Sequence, residues 1–432
     1  MEISRTIPHT PETTPRCCKM KLLIFLCLSQ VLLCALVCGH HGGPHDDDHD
    51  HLDHHHIESK LLHQIGESNV KFAYKLYNYL ATTKPNDNFF FSPLSISIAF
   101  SLLSLGAKGK TLSQIREGFG FTPSLMKEEN IHEGFHQLLN FINQPKSNLN
   151  LNMANALFID NKVKLHEKFL DGAKNWYQSE AISTDFQKEG EALKEINSYV
   201  EKKTNGKIEH LLDDLYPQNI LVMVNMVLFK GSWGPPFKGY QIIEDYFHVD
   251  KNTVVKMPMM TTTGEYPVVF KPEIGYTIVE VPYKGNTSAM FIIPSEGKLH
   301  DIEKALLNVS IASWVGEMRP MEVMITLPRF TLSSELDLLG PLQELGLTDI
   351  FSNNADLSGI TVESDIKVTK AVHQAMLSVD EEGKEASAAT AIGIANISLP
   401  PHVKVDKPFI ISIQNKDLDT VLFTGRIVNP KK

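Results

Sequence analysis

The chain has 432 residues, of which 42% are hydrophobic and 21% charged, and its formal net charge is −10. This composition is typical of a soluble globular protein, and an acidic balance without a basic stripe argues against a nucleic-acid partner. All five cysteines lie within the first 38 residues. If that segment is removed, the mature chain has no thiol nucleophile, no cysteine-ligated metal site and no disulfide.

The N-terminal segment has the features of a signal peptide. Lys19 and Lys21 precede an apolar run over residues 22–37, which ends in small residues near Gly39. The run is too short for a membrane span, and its flanks are those of a secretory signal. We therefore predict a signal peptide over residues 1–39, with Met20 as an alternative start. The mature protein is then secreted and extracellular, with no membrane partner.

Residues 40–56 are dominated by histidine and aspartate, a composition that cannot build a hydrophobic core. We predict a disordered, pH-sensitive tail. A second interpretation is capture of zinc or copper, because neutral imidazole is a common ligand of both metals. The candidate ligands are His40, His41, His45, His49, His51, His54, His55 and His56.

Residues 57–432 hold the predicted folded domain. Helical periodicity is present over residues 59–80, 92–105, 130–142 and 191–203. The second of these segments begins with Ser92-Pro93, which suits a helix start. Runs rich in β-branched and apolar residues predict strands at 220–229, 254–260, 277–281, 288–294, 323–327, 366–379 and 403–412. Helices early and strands late favour one α+β domain over alternating βαβ units.

Two short motifs resemble enzyme sites but lack the context that those sites need. His132, Glu133 and His136 match H-E-x-x-H, which on a helix places two zinc ligands and a general base on one face. Gly134 weakens the helix interior, and no extended metalloprotease pattern follows. Residues 109–111 resemble the end of a phosphate-binding loop, but serine replaces its first glycine. We predict that the protein is not an enzyme and has no cofactor.

The segment between residues 380 and 401 is a long loop without turn residues. Its middle is small and uncharged, and it contains no proline between Lys384 and Leu399. Such a segment can enter a β-sheet as a strand, and it is an aggregation hazard when exposed. Long loops in compact domains usually have a function. We therefore predict an exposed loop whose use is strand insertion.

Several short blocks of the sequence together form a specific pattern. They are residues 88–95, 225–233, 247–250, 351–359, 370–373, 380–383, 399–401, 405–409 and 425–430. These blocks, in this order between about residue 57 and residue 432, resemble those of the serpin family, and within it the antitrypsin-like branch, clade A. The resemblance implies an α+β serpin fold of three β-sheets and about nine helices, a metastable monomer and an exposed reactive-centre loop.

The same resemblance implies a protease inhibitor that acts as a pseudo-substrate. A serine protease cleaves the loop and forms an acyl-enzyme, and the cleaved loop then inserts into the main sheet. With an antitrypsin-like loop length, the reactive bond falls between Ile397 and Ser398. An aliphatic, β-branched residue suits the shallow apolar pocket of elastase-like serine proteases, which are the predicted partners.

The resemblance also assigns roles to residues near the main sheet. The polar cluster beneath the opening sheet, which we call the shutter, is matched by Ser92, Ser95, Asn225 and His373. Arg329 and Glu381 match an ion pair at the top of that sheet, and Trp233 matches a buried tryptophan there. The segment that would form a heparin-binding helix, residues 120–130, holds Lys127 as its one cation, so heparin is not a predicted partner.

The hinge and the sequons leave two functions open. The hinge comprises Glu381, Gly383, Lys384, Ala386, Ser387, Ala388 and Ala389. Lys384 occupies the first inserting position, where inhibitory members usually have threonine or serine, and burial of its ammonium would slow insertion. Glycosylation sequons begin at Asn286, Asn308 and, beside the reactive bond, Asn396. The small hinge residues favour an inhibitor, whereas Lys384 and Asn396 favour the alternative, a non-inhibitory hormone carrier or storage protein.

Overall fold

The described part of the chain defines the fold. The computed structural model describes residues 49–122, 126–144, 151–235, 237, 240–308, 315–363, 366–380 and 399–432. The predicted signal peptide, the hinge and the reactive bond Ile397–Ser398 lie outside the described residues. Contacts divide the chain into Met1–His55 and His56–Lys432, and all the strands belong to the second unit.

The predicted helices are present. The α-helices are α1 His49–Thr83, α2 Pro93–Ser104, α3 Gly109–Gly118, α4 Glu128–Ile142, α5 Glu167–Tyr177, α6 Glu189–Lys203, α7 Leu299–Asn308 and α8 Leu339–Glu344, with a 3₁₀ helix at Asp349–Phe351. The four helical segments predicted by periodicity fall in α1, α2, α4 and α6. Ser92 caps α2, because its Oγ accepts a hydrogen bond from the backbone nitrogen of Ser95 at 3.2 Å, and Pro93 follows in the first turn.

Helix α1 begins earlier than the sequence predicts. The backbone is helical from His49 onward, and the disordered tail over residues 40–56 stays a prediction. A helix propagates more easily than it nucleates, so a helix packed through buried Leu61 and Ile65 can extend toward its N-terminus. The candidate metal ligands before His49 lie outside the described residues, as do the side chains of the later ones, so metal capture stays a prediction.

The strands form two hydrogen-bonded networks. They are β1 Phe89–Phe91, β2 Leu151–Asp160, β3 Glu180–Thr184, β4 Leu221–Lys230, β5 Gln241–His248, β6 Val254–Lys271, β7 Tyr276–Pro282, β8 Thr287–Pro294, β9 Arg319–Pro328, β10 Phe330–Asp337, β11 Val368–Val379, β12 His402–Lys404, β13 Phe409–Asn415 and β14 Thr420–Ile427. One network is a five-stranded sheet of order β10-β11-β4-β2-β3. The other has nine strands, in the order β1-β14-β13-β8-β7-β6-β9-β12 with β5 paired to β6.

The long strand β6 explains why two networks appear where the resemblance implies three sheets. This strand has 18 residues. Residues 254–261 pair with β5, residues 259–268 pair with β9, and residues 268–271 pair with β7. One continuous strand therefore joins two sheets into a single network. The predicted α+β class is confirmed.

Helix α2 lies at the centre of the hydrophobic core. All 12 of its residues are buried, and it packs against β4 and β14. The apolar positions predicted on one side of α1 are also buried, namely Leu61, Ile65, Phe72, Leu76 and Leu80. A helix that is buried on every side fixes the positions of the elements packed around it. Within the described ranges, no helix is both long and apolar enough to cross a membrane.

A buried ion pair joins the C-terminal strand β14 to α7. Arg426 donates through Nη1 to both carboxylate oxygens of Glu303, at 3.0 and 3.2 Å, and both side chains are buried. The hydroxyl of Tyr77 donates to the same carboxylate at 2.9 Å. The guanidinium also bonds the carbonyl oxygens of Lys84 and Asp87. The cluster therefore ties α1 and the turn after it to the end of the chain.

Replacing Glu303 by leucine should lower the free energy of unfolding by about 3–5 kcal/mol, because Arg426 would remain as an uncompensated buried charge. Urea unfolding followed by circular dichroism measures the loss. Glu317, which is half exposed and pairs with Lys271, provides the control, and Glu317→Leu should change stability by less than about 1 kcal/mol. Equal losses in the two variants would contradict this role of the buried pair.

Candidate functional site

The candidate site is the seam between β11 and β4 in the five-stranded sheet. The predicted loop follows β11, which ends at Val379, and the chain is described again from Leu399. Strands β11 and β4 run parallel, and their register extends from Val368 opposite Leu221 to Ser378 opposite Lys230. The pairs on either side of the seam, β10 with β11 and β4 with β2, are antiparallel.

The parallel seam suits the addition of one strand. A strand that follows β11 after a reversal of direction runs antiparallel to β11. Because β4 is parallel to β11, the same strand is also antiparallel to β4. Antiparallel pairing is slightly more stable per residue than parallel pairing. Replacing one parallel pair with two antiparallel pairs is therefore favourable for the backbone.

A polar cluster closes the seam at the middle of the strands. His373 of β11 and Asn225 of β4 are opposite each other in the register, and His373 Nδ1 donates to Asn225 Oδ1. The backbone N–H of Ser92 donates to His373 Nε2 at 3.0 Å. Asn225 Nδ2 donates to Ser95 Oγ at 2.6 Å. The structure thus brings all four predicted shutter residues together, and all four are buried.

Asn155 of β2 belongs to the same cluster, although no sequence motif singles it out. It lies opposite Asn225 in the register, and Asn225 Nδ2 donates to its Oδ1. The sequence does hold an indication of this role, since Asn155 is a polar residue in a largely apolar strand and a buried polar group needs a hydrogen-bond partner. Only the register of β2 against β4 identifies that partner. The shutter therefore spans three adjacent strands.

Burial keeps the shutter histidine neutral. It lowers the pKa of His373 from 6.5 to about 3. The hydrogen bonds agree with this charge state, because Nε2 accepts from the N–H of Ser92 and must therefore carry a lone pair. The seam is held by hydrogen bonds between neutral groups, each of which contributes about 0.5–1.5 kcal/mol net.

An ion pair lies at the end of β4, and an aromatic stack follows just beyond it. The rings of Trp233 and Tyr283 are stacked with centroids 4.3 Å apart, and both side chains are buried. The Nζ of Lys230 lies 3.7 Å from the carboxylate of Asp380, the last described residue before the loop. Burial and the nearby charge of Asp380 raise the pKa of Tyr283. The polar atoms of the two stacked rings have no hydrogen-bond partner in the described part of the chain.

The structure places the other predicted positions only in part. Arg329 lies between β9 and β10, but its predicted partner Glu381 is outside the described residues, so this ion pair stays a prediction. The sequon residue Asn286 is exposed between β7 and β8, and its Nδ2 donates to Asp417 Oδ1 at 2.6 Å, so occupancy of this sequon stays a prediction. Asn308 ends α7 and its side chain is not described, and Asn396 lies outside the described residues.

The two histidines of the H-E-x-x-H motif contact helix α5. His132 Nδ1 lies 2.6 Å from the hydroxyl of Tyr177, and burial lowers the pKa of His132 to about 4. The ring of His136 packs against Trp176, with centroids 5.6 Å apart. Across the described ranges, no group of three or more His, Cys, Asp or Glu residues is placed to hold a metal ion.

Comparison with known proteins gives one consistent result. The profile of the family "Serpin (serine protease inhibitor)" matches residues 67–430. Alpha-1-antiproteinase 2 of Equus caballus is 40% identical over 426 residues, which cover 97% of this chain and 99% of the relative. Serpin A3-5 of Bos taurus is 42% identical over 371 residues, 86% of this chain and 90% of the relative. These relatives confirm the predicted resemblance to clade A, and they are named as inhibitors of proteases, not as enzymes.

Solved structures with the same fold include proteins of different names. Human thyroxine-binding globulin in complex with thyroxine has a TM-score of 0.78 at 35% identity, over 86% of this chain and 99% of that chain. Uncleaved ovalbumin also has a TM-score of 0.78, at 27% identity, over 85% of this chain and all of that one. The fold is therefore shared, and function must be argued from the site.

Acidification should destabilise the shutter through His373. Its pKa is about 3 in the folded chain and about 6.5 in the unfolded chain, so the unfolded state takes up the proton first as the pH falls. The contribution to stability is complete above about pH 6.5 and declines by about 1.4 kcal/mol per pH unit below it, or about 2 kcal/mol at about pH 5.

Urea unfolding of the wild type and of His373→Gln at neutral and acidic pH tests this expectation. The variant should lose about 2 kcal/mol less than the wild type between neutrality and about pH 5. Substitution of His63, which is exposed, by glutamine is the control. The same pH dependence in the wild type and in His373→Gln would rule out this role of the buried imidazole.

Proposed function

Because the chain belongs to the serpin family, we propose that it is a secreted, monomeric inhibitor of serine proteases with elastase-like specificity. The protease cleaves the predicted loop, is held as an acyl-enzyme, and is trapped when the loop inserts between β11 and β4. The observation that carries the proposal is the parallel pairing of these two strands where the loop leaves β11.

The chemical step begins as ordinary proteolysis. The serine hydroxyl of the protease attacks the carbonyl carbon of Ile397, and the bond from that carbon to the nitrogen of Ser398 breaks. The hydroxyl proton passes to the leaving amine, and an ester joins the protease to Ile397. Water hydrolyses this ester unless insertion is faster. The aliphatic side chain of Ile397 sets the preference for a shallow apolar pocket.

Insertion must open the shutter. The hydrogen bond between His373 and Asn225 crosses the seam, so it has to break before a new strand can lie between β11 and β4. Both side chains are neutral, and the loss is modest because each can bond again to the inserted strand. The ion pair of Lys230 with Asp380 lies at the end of β4 nearest the hinge, where separation of the strands would begin.

Lys384 sets the competition between trapping and release. Alternate side chains of an inserted strand face the covered side of the sheet. An ammonium there costs several kcal/mol unless it reaches water or a carboxylate. A slower first step of insertion gives water more time to hydrolyse the ester. Lys384 therefore lowers the fraction of encounters that end in a trapped protease.

The second candidate function is that of a non-inhibitory carrier or storage protein. Lys384, the sequon at Asn396 and the likeness to thyroxine-binding globulin, which was solved with thyroxine bound, favour it. An apolar cavity lined in part by Tyr74 and Tyr77 of α1 and Leu306 of α7 has a volume of about 20 Å³, whereas two open clefts elsewhere on the described surface have volumes of about 590 and 610 Å³. Ligand pockets usually measure about 300–1,000 Å³, so cavity volume does not separate the two candidate functions. Inhibition stays the first candidate because of the parallel seam between β11 and β4.

Incubation with an elastase should give a covalent complex that survives SDS on a gel. The matched control is Ala388→Arg, which places a long cation at an inserting position of the hinge and should turn the inhibitor into a substrate. Its product is then a cleaved chain together with active protease. If the wild-type chain also gives only these products, the inhibitory function is wrong and the carrier function becomes the leading candidate.

Lys384→Thr should raise the yield of covalent complex per molecule of inhibitor, because the first inserted side chain no longer carries a buried charge. Titration of elastase activity at increasing inhibitor concentration measures this yield. Lys304, which is exposed on α7, offers the comparison, and Lys304→Thr should leave the yield unchanged. An unchanged yield in Lys384→Thr would show that the ammonium does not limit insertion.

A further inference from the structure

The described residue nearest to the reactive bond on its C-terminal side is Leu399, and its side chain is 90% exposed. It is the most exposed of the large apolar side chains in the described ranges, ahead of Val362 at 74%. Single exposed apolar residues are common on protein surfaces. The position of Leu399, two residues after Ile397, is what distinguishes it from the others.

The chain directly after Leu399 is fixed to the sheet. Pro400 and Pro401 have restricted backbone angles, so this dipeptide is stiff. The carbonyl oxygen of Pro401 accepts a hydrogen bond from the backbone nitrogen of Met324 on β9, at 2.9 Å. Strand β12 then continues parallel to β9, starting with His402 opposite Met324. The exposed leucine is therefore followed directly by backbone that is hydrogen-bonded to β9.

Side chains further along strengthen this support. Val403 and Val405 are buried in the core. His402 Nε2 lies 2.9 Å from the hydroxyl of Thr326 on β9, and the backbone nitrogen of Val405 donates to the carbonyl oxygen of Thr326 at 2.9 Å. These contacts restrict the start of β12 from both faces. The backbone that follows Leu399 is therefore ordered before a protease binds, which lowers the entropy cost of binding at this position.

We infer that Leu399 is a specificity-determining residue, whose side chain fills an apolar subsite on the leaving-group side of the protease cleft. The inference rests on the proposed function, because it takes Ile397–Ser398 as the cleaved bond. Serine proteases bind a substrate as an extended strand, in which residues on both sides of the bond face the cleft. A leucine next to a fixed backbone adds apolar contact area, and the main ordering cost is that of its own side-chain rotamer.

Residues on the two sides of the reactive bond affect different stages of the proposed inhibition. Ser398 and Leu399 belong to the leaving group, so their contacts with the protease are available before the bond breaks and are lost afterwards. The ester joins the protease to Ile397, on the other side of the break. Leu399 therefore affects encounter and acylation, whereas Lys384 affects the later competition between insertion and hydrolysis. The two residues have separable kinetic signatures.

The experiment compares Leu399→Ala with the wild type in stopped-flow inhibition of an elastase. The second-order rate constant of association should fall about tenfold, because an apolar subsite is left unfilled. The yield of covalent complex per molecule of inhibitor should not change. Leu399→Met should retain most of the rate, and Val362→Ala, at the other highly exposed apolar position, should leave both quantities unchanged. An association rate unchanged in Leu399→Ala would overturn the inference.

Failure of the proposed function gives a different result. If the wild type forms no covalent complex, the loop is a plain substrate and kcat/KM for its cleavage takes the place of the association rate. Leu399→Ala should then lower this kcat/KM by about tenfold. An equal kcat/KM in the two proteins would overturn the role of Leu399, and cleavage at another bond would overturn the assignment on which it rests. The thermal midpoint should be the same in all variants, because the exposed side chain does not support the fold.

Discussion

The parallel pairing of β11 with β4 is the constraint on which the rest of the structure depends. Two parallel strands cannot be joined by a short turn, so other elements must lie between them in the chain. Here the segment after β4 forms β5 to β10 before β11 returns beside it. The chain that leaves β11 starts at the end of the seam and can fold straight back into it. Topology, not local sequence preference, makes this place suitable for an added strand.

The distribution of charge fits this arrangement. Removing one partner of a buried ion pair leaves an uncompensated charge that costs several kcal/mol of stability. A hydrogen bond between neutral groups makes a net contribution to stability of only about 0.5–1.5 kcal/mol. The buried charges of Arg426 and Glu303 join α7, β14 and the end of α1, which have no need to separate. The shutter of His373 and Asn225, which crosses the seam, is neutral. A structure that must open at one place and hold at another would be built in this way.

The sequence predicts some of these features and cannot predict others, for physical reasons. Periodicity and capping are local, so the helix over residues 59–80 and the cap at Ser92 could be found without a structure. Family motifs identified four shutter residues. The role of Asn155 could not be predicted, because its partner Asn225 lies 70 residues away and only strand register brings the two together. The joining of two sheets through β6 could not be predicted for a related reason, since the sequence of a strand does not say how many neighbouring strands it pairs with.

The two ends of the predicted loop are anchored to different strands. This difference separates the residues that would select a protease from those that would trap it. Before the loop, Asp380 is bound to Lys230 at the end of the seam, so the hinge starts where β11 and β4 would part. After the loop, Pro401 and β12 are fixed to β9, which belongs to the other network. In the proposed mechanism, cleavage frees the first end from the second, and the first alone can then enter the seam. Under that mechanism, residues on the fixed side can adapt to a protease without altering insertion, whereas residues on the hinge side must also fit the sheet.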